Sequence, residues 1–175
     1  MSEQNVNTNE VEEEVVKDKP VDKVSLVGIG IRPDAKYNNV DVAKFINIIM
    51  LDGKKQAATK VMYEALDIVD QKIKDKHPVK VLEEAIDNVK PLVEVRSKRV
   101  GGATYQVPME VKPRRQRVLA FRWLKDAFRK KKGRSSAERL ANEIIDGYNK
   151  QGAAMNVREN IHKMAEANKA FAYYA

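Results

Sequence analysis

From Val42 to Phe171 the apolar residues recur at helical spacing, except across residues 93–111, where the period drops to two around Gly101-Gly102. That single interruption strongly constrains the fold. A two-residue period sends alternate side chains to opposite faces of a strand, and paired glycines between two such runs supply the positive φ angles of a tight hairpin turn. Val93 and Val95 in the first run, and Tyr105, Val107, Met109 and Val111 in the second, alternate with Glu94, Arg96, Gln106 and Glu110. This spacing predicts one apolar ribbon face. Pro108 has no amide hydrogen to donate and suits an edge, so the two runs make a ribbon and not part of a wide sheet. The chain is therefore expected to be mainly α, a six-helix bundle with a protruding two-stranded β-hairpin between helices three and four.

The helices carry their own boundary signals. Asn38 or Asn39 is placed to cap a first helix built on Val42, Phe45, Ile46 and Ile49, with Gly53 just past its end. A second runs from about Lys54 to Lys74 on Ala58, Val61, Met62, Ala65, Leu66, Val69 and Ile73. A third starts after His77-Pro78 and stops near Val89, because Pro91 cannot continue it. Pro113 opens a fourth, to about Lys131, which buries Leu119, Ala120, Trp123, Leu124, Ala127 and Phe128. Ser135 and Glu138 form a capping box for a fifth, and after Gly152 a sixth runs through Val157, Ile161, Met164, Ala165, Asn168 and Phe171. Residues 1–24 are polar and acidic and read as a disordered tail; residues 25–175 read as one domain.

The net charge of +8 is confined to one window. Residues 1–24 hold seven acids against three lysines, whereas residues 25–95 and 135–175 are each balanced. Residues 96–134 hold 14 basic residues and only Glu110 and Asp126 as acids. A potential so concentrated attracts polyanions. On the fourth helix Arg114, Arg115, Arg122, Lys125 and Arg129 fall opposite the apolar side, and Lys112 joins them to Arg96, Lys98 and Arg99 beside the Gly101-Gly102 turn. Arg117 lies within the same window, and Lys130, Lys131, Lys132 and Arg134 end the helix. Six arginines between Arg114 and Arg134 suit a phosphate backbone, because a guanidinium offers paired donors to phosphate oxygens. Tyr105 has two possible roles, stacking on a base or packing on the ribbon, and the alternation favours packing.

Enzymatic chemistry finds no foothold. With no cysteine and only His77 and His162, thiol nucleophiles, disulfides and His-rich metal sites are excluded. His162 has no nucleophile or carboxylate partner fixed by spacing, so no catalytic residue, metal or cofactor is assigned. Gly28-x-Gly30 lacks a third glycine, and Gly53-Lys54-Lys55 lacks both the earlier glycine and the hydroxyl of a phosphate loop. No apolar run approaches the roughly 20 residues of a membrane span. The residues alone leave open an RNA-binding module, an architectural DNA-binding protein with a ribbon arm in the minor groove, and a helical enzyme.

Several segments narrow this further: Val42 to Asn47, Met50 to Lys55, Ala85 to Pro91, Ala137 to Glu143, His162 to Ala172 and, most specific, the run from Val93 to Pro108. Together they resemble the bacterial small-subunit ribosomal proteins of the S-seven family over about residues 32–174. The resemblance implies a structural RNA-binding domain that binds the 3′ major domain of small-subunit ribosomal RNA and organises the subunit head. By position it implies ribosomal-RNA contacts at Arg32, Lys36, Lys44, Lys54, Lys55, Lys112, Arg114, Arg115, Arg117, Arg122, Lys125, Arg129, Lys130, Lys131, Lys132 and Arg134. It places Arg96, Lys98, Arg99, Gly101, Gly102 and Tyr105 near exit-site transfer RNA and the messenger path. The last helix resembles the part that meets the neighbouring S-eleven protein, and the implied location is the cytoplasmic ribosome in preference to an organellar one. Relatives carry a strongly basic arm before the Pro-Asp segment. Here only Arg32 remains of it, and the acidic residues 1–24 are expected to take no part in RNA binding.

Overall fold

The computed structural model describes residues 31–174; the expectations for the acidic residues 1–24 and for the Gly28–Gly30 loop lie outside the described residues. The elements run α1 (Val40–Ile49), α2 (Lys55–Lys72), α3 (Pro78–Val89), β1 (Val93–Val100), β2 (Ala103–Glu110), α4 (Pro113–Lys130), α5 (Ser136–Tyr148) and α6 (Gly152–Ala167), followed by a 3-10 helix (Lys169–Tyr174). The mainly helical class and the hairpin between α3 and α4 are as expected.

Local chemistry fixes the ends. The Asn39 side chain accepts from the amides of Asp41 (2.8 Å) and Val42 (3.2 Å), satisfying two amides that have no partner within the first turn of α1. Ser135 does the same for α5 by accepting from the Glu138 amide at 3.2 Å. Pro78 and Pro113 occupy first-turn positions of α3 and α4, where a missing amide hydrogen costs nothing. The core is one cluster fed by α1 to α6, with Phe45, Met62, Leu66, Leu82, Ile86, Leu124, Leu140 and Ile144 among its fully buried side chains.

Three expectations need correction. First, α4 buries Phe121, whose ring stacks on Phe45 with centroids 5.3 Å apart, while Trp123 packs on the core only half-buried. Because α4 touches α1 and α3 as well as α5 and α6, its buried arc is wider than the stripe read from the sequence. Second, the sixth α-helix stops at Ala167, so Phe171 lies in the 3-10 helix. The contact arc of α6 is rotated toward Ala154, Met155 and Ala165, leaving Val157 and Met164 exposed. Polar groups set that rotation: Arg158 Nε donates to the Lys90 carbonyl (3.2 Å), and His162 Nε2 accepts from the Leu92 amide (3.2 Å).

Third, the ribbon has no single apolar face. The two-residue turn pairs Val100 with Ala103, and from there Lys98 with Tyr105, Arg96 with Val107, Glu94 with Met109, but Val95 with Pro108 and Val93 with Glu110. Side chains of directly opposed residues share a face, so Val93 and Val95 lie opposite to Tyr105, Val107 and Met109. The face that carries buried Val107 also carries Glu94, which is buried as well.

Candidate nucleic-acid interface

The exposed side of α4 presents Arg114, Arg115, Arg122 and Arg129. Val118 lies among them, also exposed, and Lys112 precedes the helix at its N-cap. The side chains of Arg114 and Arg122, together with those of Arg99 on the ribbon, Lys130 at the far end of α4, and Lys132 and Arg134 beyond it, make no hydrogen bond or ion pair among the described residues. Arg114 and Arg122, two helical turns apart on one face, thus offer free paired donors of the kind that match phosphate oxygens.

The remaining cations are tethered, and the tethers show which elements are joined. Glu94 receives Arg115 Nε on both carboxylate oxygens (2.9 and 2.8 Å) and Arg96 Nε on one (2.5 Å), so one acid links β1 to the start of α4. Burial opposes the charge of this carboxyl, but the bonds from Arg115 and Arg96 outweigh it and hold its pKa below the ordinary value. Asp41 on α1 receives Arg117 at 3.4 Å and Lys44 at 3.6 Å, tying α4 to α1. Arg129 donates to the Ile49 carbonyl at the end of α1 (2.9 Å) and, with Lys54, borders an open hollow of about 450 Å³ floored by Ile49, Leu51 and Phe128. Lys55 is exposed one residue further on, at the start of α2. Ribbon, α4, α1 and the start of α2 therefore carry one connected set of basic groups.

Other predicted contacts stand apart from this set. Lys36 is paired with Asp67 at 2.6 Å and lies over the rings of Tyr37 and Tyr63. Arg32 is exposed on the segment before α1, and Lys125, partly buried, pairs with its neighbour Asp126. Lys131 sits 2.6 Å from Glu143 and 2.7 Å from Asp146. Burial works against its charge, yet Asp146 and Glu143 together hold the ammonium above its ordinary pKa. Around it Lys72, Lys132, Arg134 and Arg139 line a second hollow, of about 470 Å³.

At the ribbon, Arg96, Lys98, Arg99, Gly101 and Gly102 are exposed. Tyr105 packs, as the alternation favours, but its partners are the aromatic rings of the C-terminal 3-10 helix: Phe171 at 5.2 Å and Tyr174, stacked, at 5.3 Å. Lys98 Nζ donates to the Tyr174 carbonyl at 2.6 Å, so the same segment holds two of the predicted tip residues.

Sequence reasoning passed over Glu94, Asp41 and Glu143, the acids that organise the basic groups. Glu143 left a signal: it shares the helix face of Leu140, Ile144 and Gly147, where a carboxylate demands a buried partner. Glu94 left none, since its placement depends on strand register. Among the described residues no group of three or more His, Cys, Asp or Glu side chains is placed to hold a metal ion, and no helix is long and apolar enough to cross a membrane.

Comparison with known proteins shows the family. The family described as Ribosomal protein S7p/S5e matches residues 23–169. The Small ribosomal subunit protein uS7 of Chlorobium luteolum is 54% identical over 145 residues, covering 83% of this chain and 94% of the relative. Those of Chlorobaculum parvum and Colwellia psychrerythraea are each 55% identical, over 84% and 82% of this chain and 95% and 92% of their own lengths. With that span and identity, the chain belongs to the ribosomal protein S7p/S5e family.

Proposed function

We propose that this chain is a structural protein of the small ribosomal subunit that binds the 3′ major domain of small-subunit ribosomal RNA through the α4–ribbon surface. In this reading it nucleates assembly of the subunit head and sets its hairpin tip near exit-site transfer RNA and the messenger path. The observation that carries it is the exposed arginine face of α4, where Arg114 and Arg122 are free and Arg115 and Arg129 are held in place, joined through Lys112 to the base of a basic ribbon. The chain is a ribosomal protein and not an enzyme. Its working location is the ribosome, and α6 with the 3-10 helix is the surface offered to the S-eleven protein beside it.

A transcript of the 3′ major domain should bind the purified chain and resist competition by duplex DNA at equal nucleotide concentration and fixed salt. The chain should also co-sediment with small ribosomal subunits. Equal displacement by duplex DNA would instead favour an architectural DNA-binding role. Removing residues 1–24 should leave binding to the transcript nearly unchanged.

A further inference from the structure

We propose that Glu94 is a positioning residue for RNA recognition: its buried carboxylate sets Arg96 of the ribbon and Arg115 of α4 side by side so that both guanidinium groups address one stretch of phosphate backbone. The proposal rests on the RNA-binding reading above.

Glu94 lies near the base of β1 with its side chain only 11% exposed, whereas the side chains of Arg96 and Arg115 are 52% and 49% exposed. The acid is thus withdrawn from solvent while the two cations that hold it face outward. Arg115 spends its Nε on the carboxylate, and among the described residues its two terminal nitrogens have no partner, leaving the outer edge of the guanidinium for a phosphate oxygen. Arg96 is gripped through Nε and one terminal nitrogen, both at 2.5 Å. Glu94 pairs with Met109 on a face whose other buried member is Val107, so strand register and packing fix the carboxylate, and through it the arginines.

A carboxylate beside two phosphate-binding groups looks counterproductive, because it subtracts charge from a cationic surface. Its benefit is order. A free arginine loses rotamer freedom on binding, and two arginines already held in place lose far less. The two effects have opposite signs on different ligands. An unstructured polyanion responds chiefly to net charge, whereas a folded RNA with fixed phosphate positions rewards a fixed donor geometry.

Glu94→Gln separates them. The expected result is affinity for the 3′ major domain transcript lowered about tenfold, with affinity for heparin equal to or above that of the parent protein. Glu94→Asp, which keeps the charge on a shorter arm, should recover part of the loss for RNA. Thermal unfolding of both variants checks that the bundle is intact. A Glu94→Gln protein that folds and binds the transcript as tightly as the parent overturns the proposal, and so does one that loses transcript and heparin binding in parallel. If the parent protein itself fails to bind the transcript, the RNA-binding reading falls first.

Discussion

Glu143 shows how much a single acid can organise. Its side chain is fully buried, accepts from the Ala154 amide at 3.0 Å and faces Lys131, so it joins α5 to the first turn of α6 and to the end of α4. Truncating it leaves the Ala154 amide without its acceptor and Lys131 with Asp146 alone, at a cost of about 2 kcal/mol. Glu143→Ala should therefore lower the unfolding free energy by about that amount in urea titration, far more than truncation of the exposed Glu64, whose ion pair with Lys60 is solvent-screened. His162 makes a pH-dependent claim. Burial, and then the charge of Arg158, depress its pKa, and the neutral ring accepts from the Leu92 amide. Protonation removes that acceptor. Because the folded-state pKa is lowered, the contribution is complete above the unfolded value and is lost as pH falls toward the folded one. Unfolding curves of the parent should weaken more steeply between about pH 7 and pH 5 than those of His162→Gln, which keeps an acceptor but does not titrate. Parallel curves would contradict this.

At the scale of elements, the helices were legible because each carries a cap, a proline or a glycine at its ends and a stripe of apolar side chains between them. What stayed hidden were rotations and registers. The α6 arc is turned by backbone groups of Lys90 and Leu92 that seek partners, and nothing in the spacing of Val157, Ile161 and Met164 encodes those bonds. The ribbon faces follow from the length of the turn: two residues between Val100 and Ala103 put even positions of β1 opposite odd positions of β2. Gly101 (φ +59) and Gly102 (φ +87) hold that turn, and no neighbouring atom lies where a Cβ would stand on either. A substitution there strains only the backbone, by about 1 kcal/mol. Gly102→Val should speed hydrogen exchange at tip amides such as those of Val100 and Ala103, the pair that closes the turn, while leaving core amides in α2 and α5 unchanged. Acceleration throughout the bundle would mean that the ribbon is not locally held.

Viewed as a whole molecule, the protein segregates its charge by tethering. The excess of basic residues in 96–134 was plain in the sequence, and so was the side of α4 that carries Arg114, Arg122 and Arg129. Which cations are free was not plain, because Asp41, Glu94 and Glu143 reach their partners from positions up to 76 residues away in the chain. Lys131 and Arg117 counted equally with Arg114 in the sequence; in the fold they are paired with acids, while Arg114 stands open. On the RNA-binding reading proposed above, the surface combines cations held in place by acids, such as Arg96 and Arg115, with cations left free, such as Arg114 and Arg122.

The most direct test of that reading is the salt dependence of binding to the 3′ major domain transcript. The parent should show a steep linear fall of log affinity with log salt. The triple variant Arg99→Gln, Arg114→Gln, Arg122→Gln should fold normally with the slope reduced by about 2, near the 0.7 to 0.9 released per phosphate contact. A triple variant with the parent's slope would contradict the account.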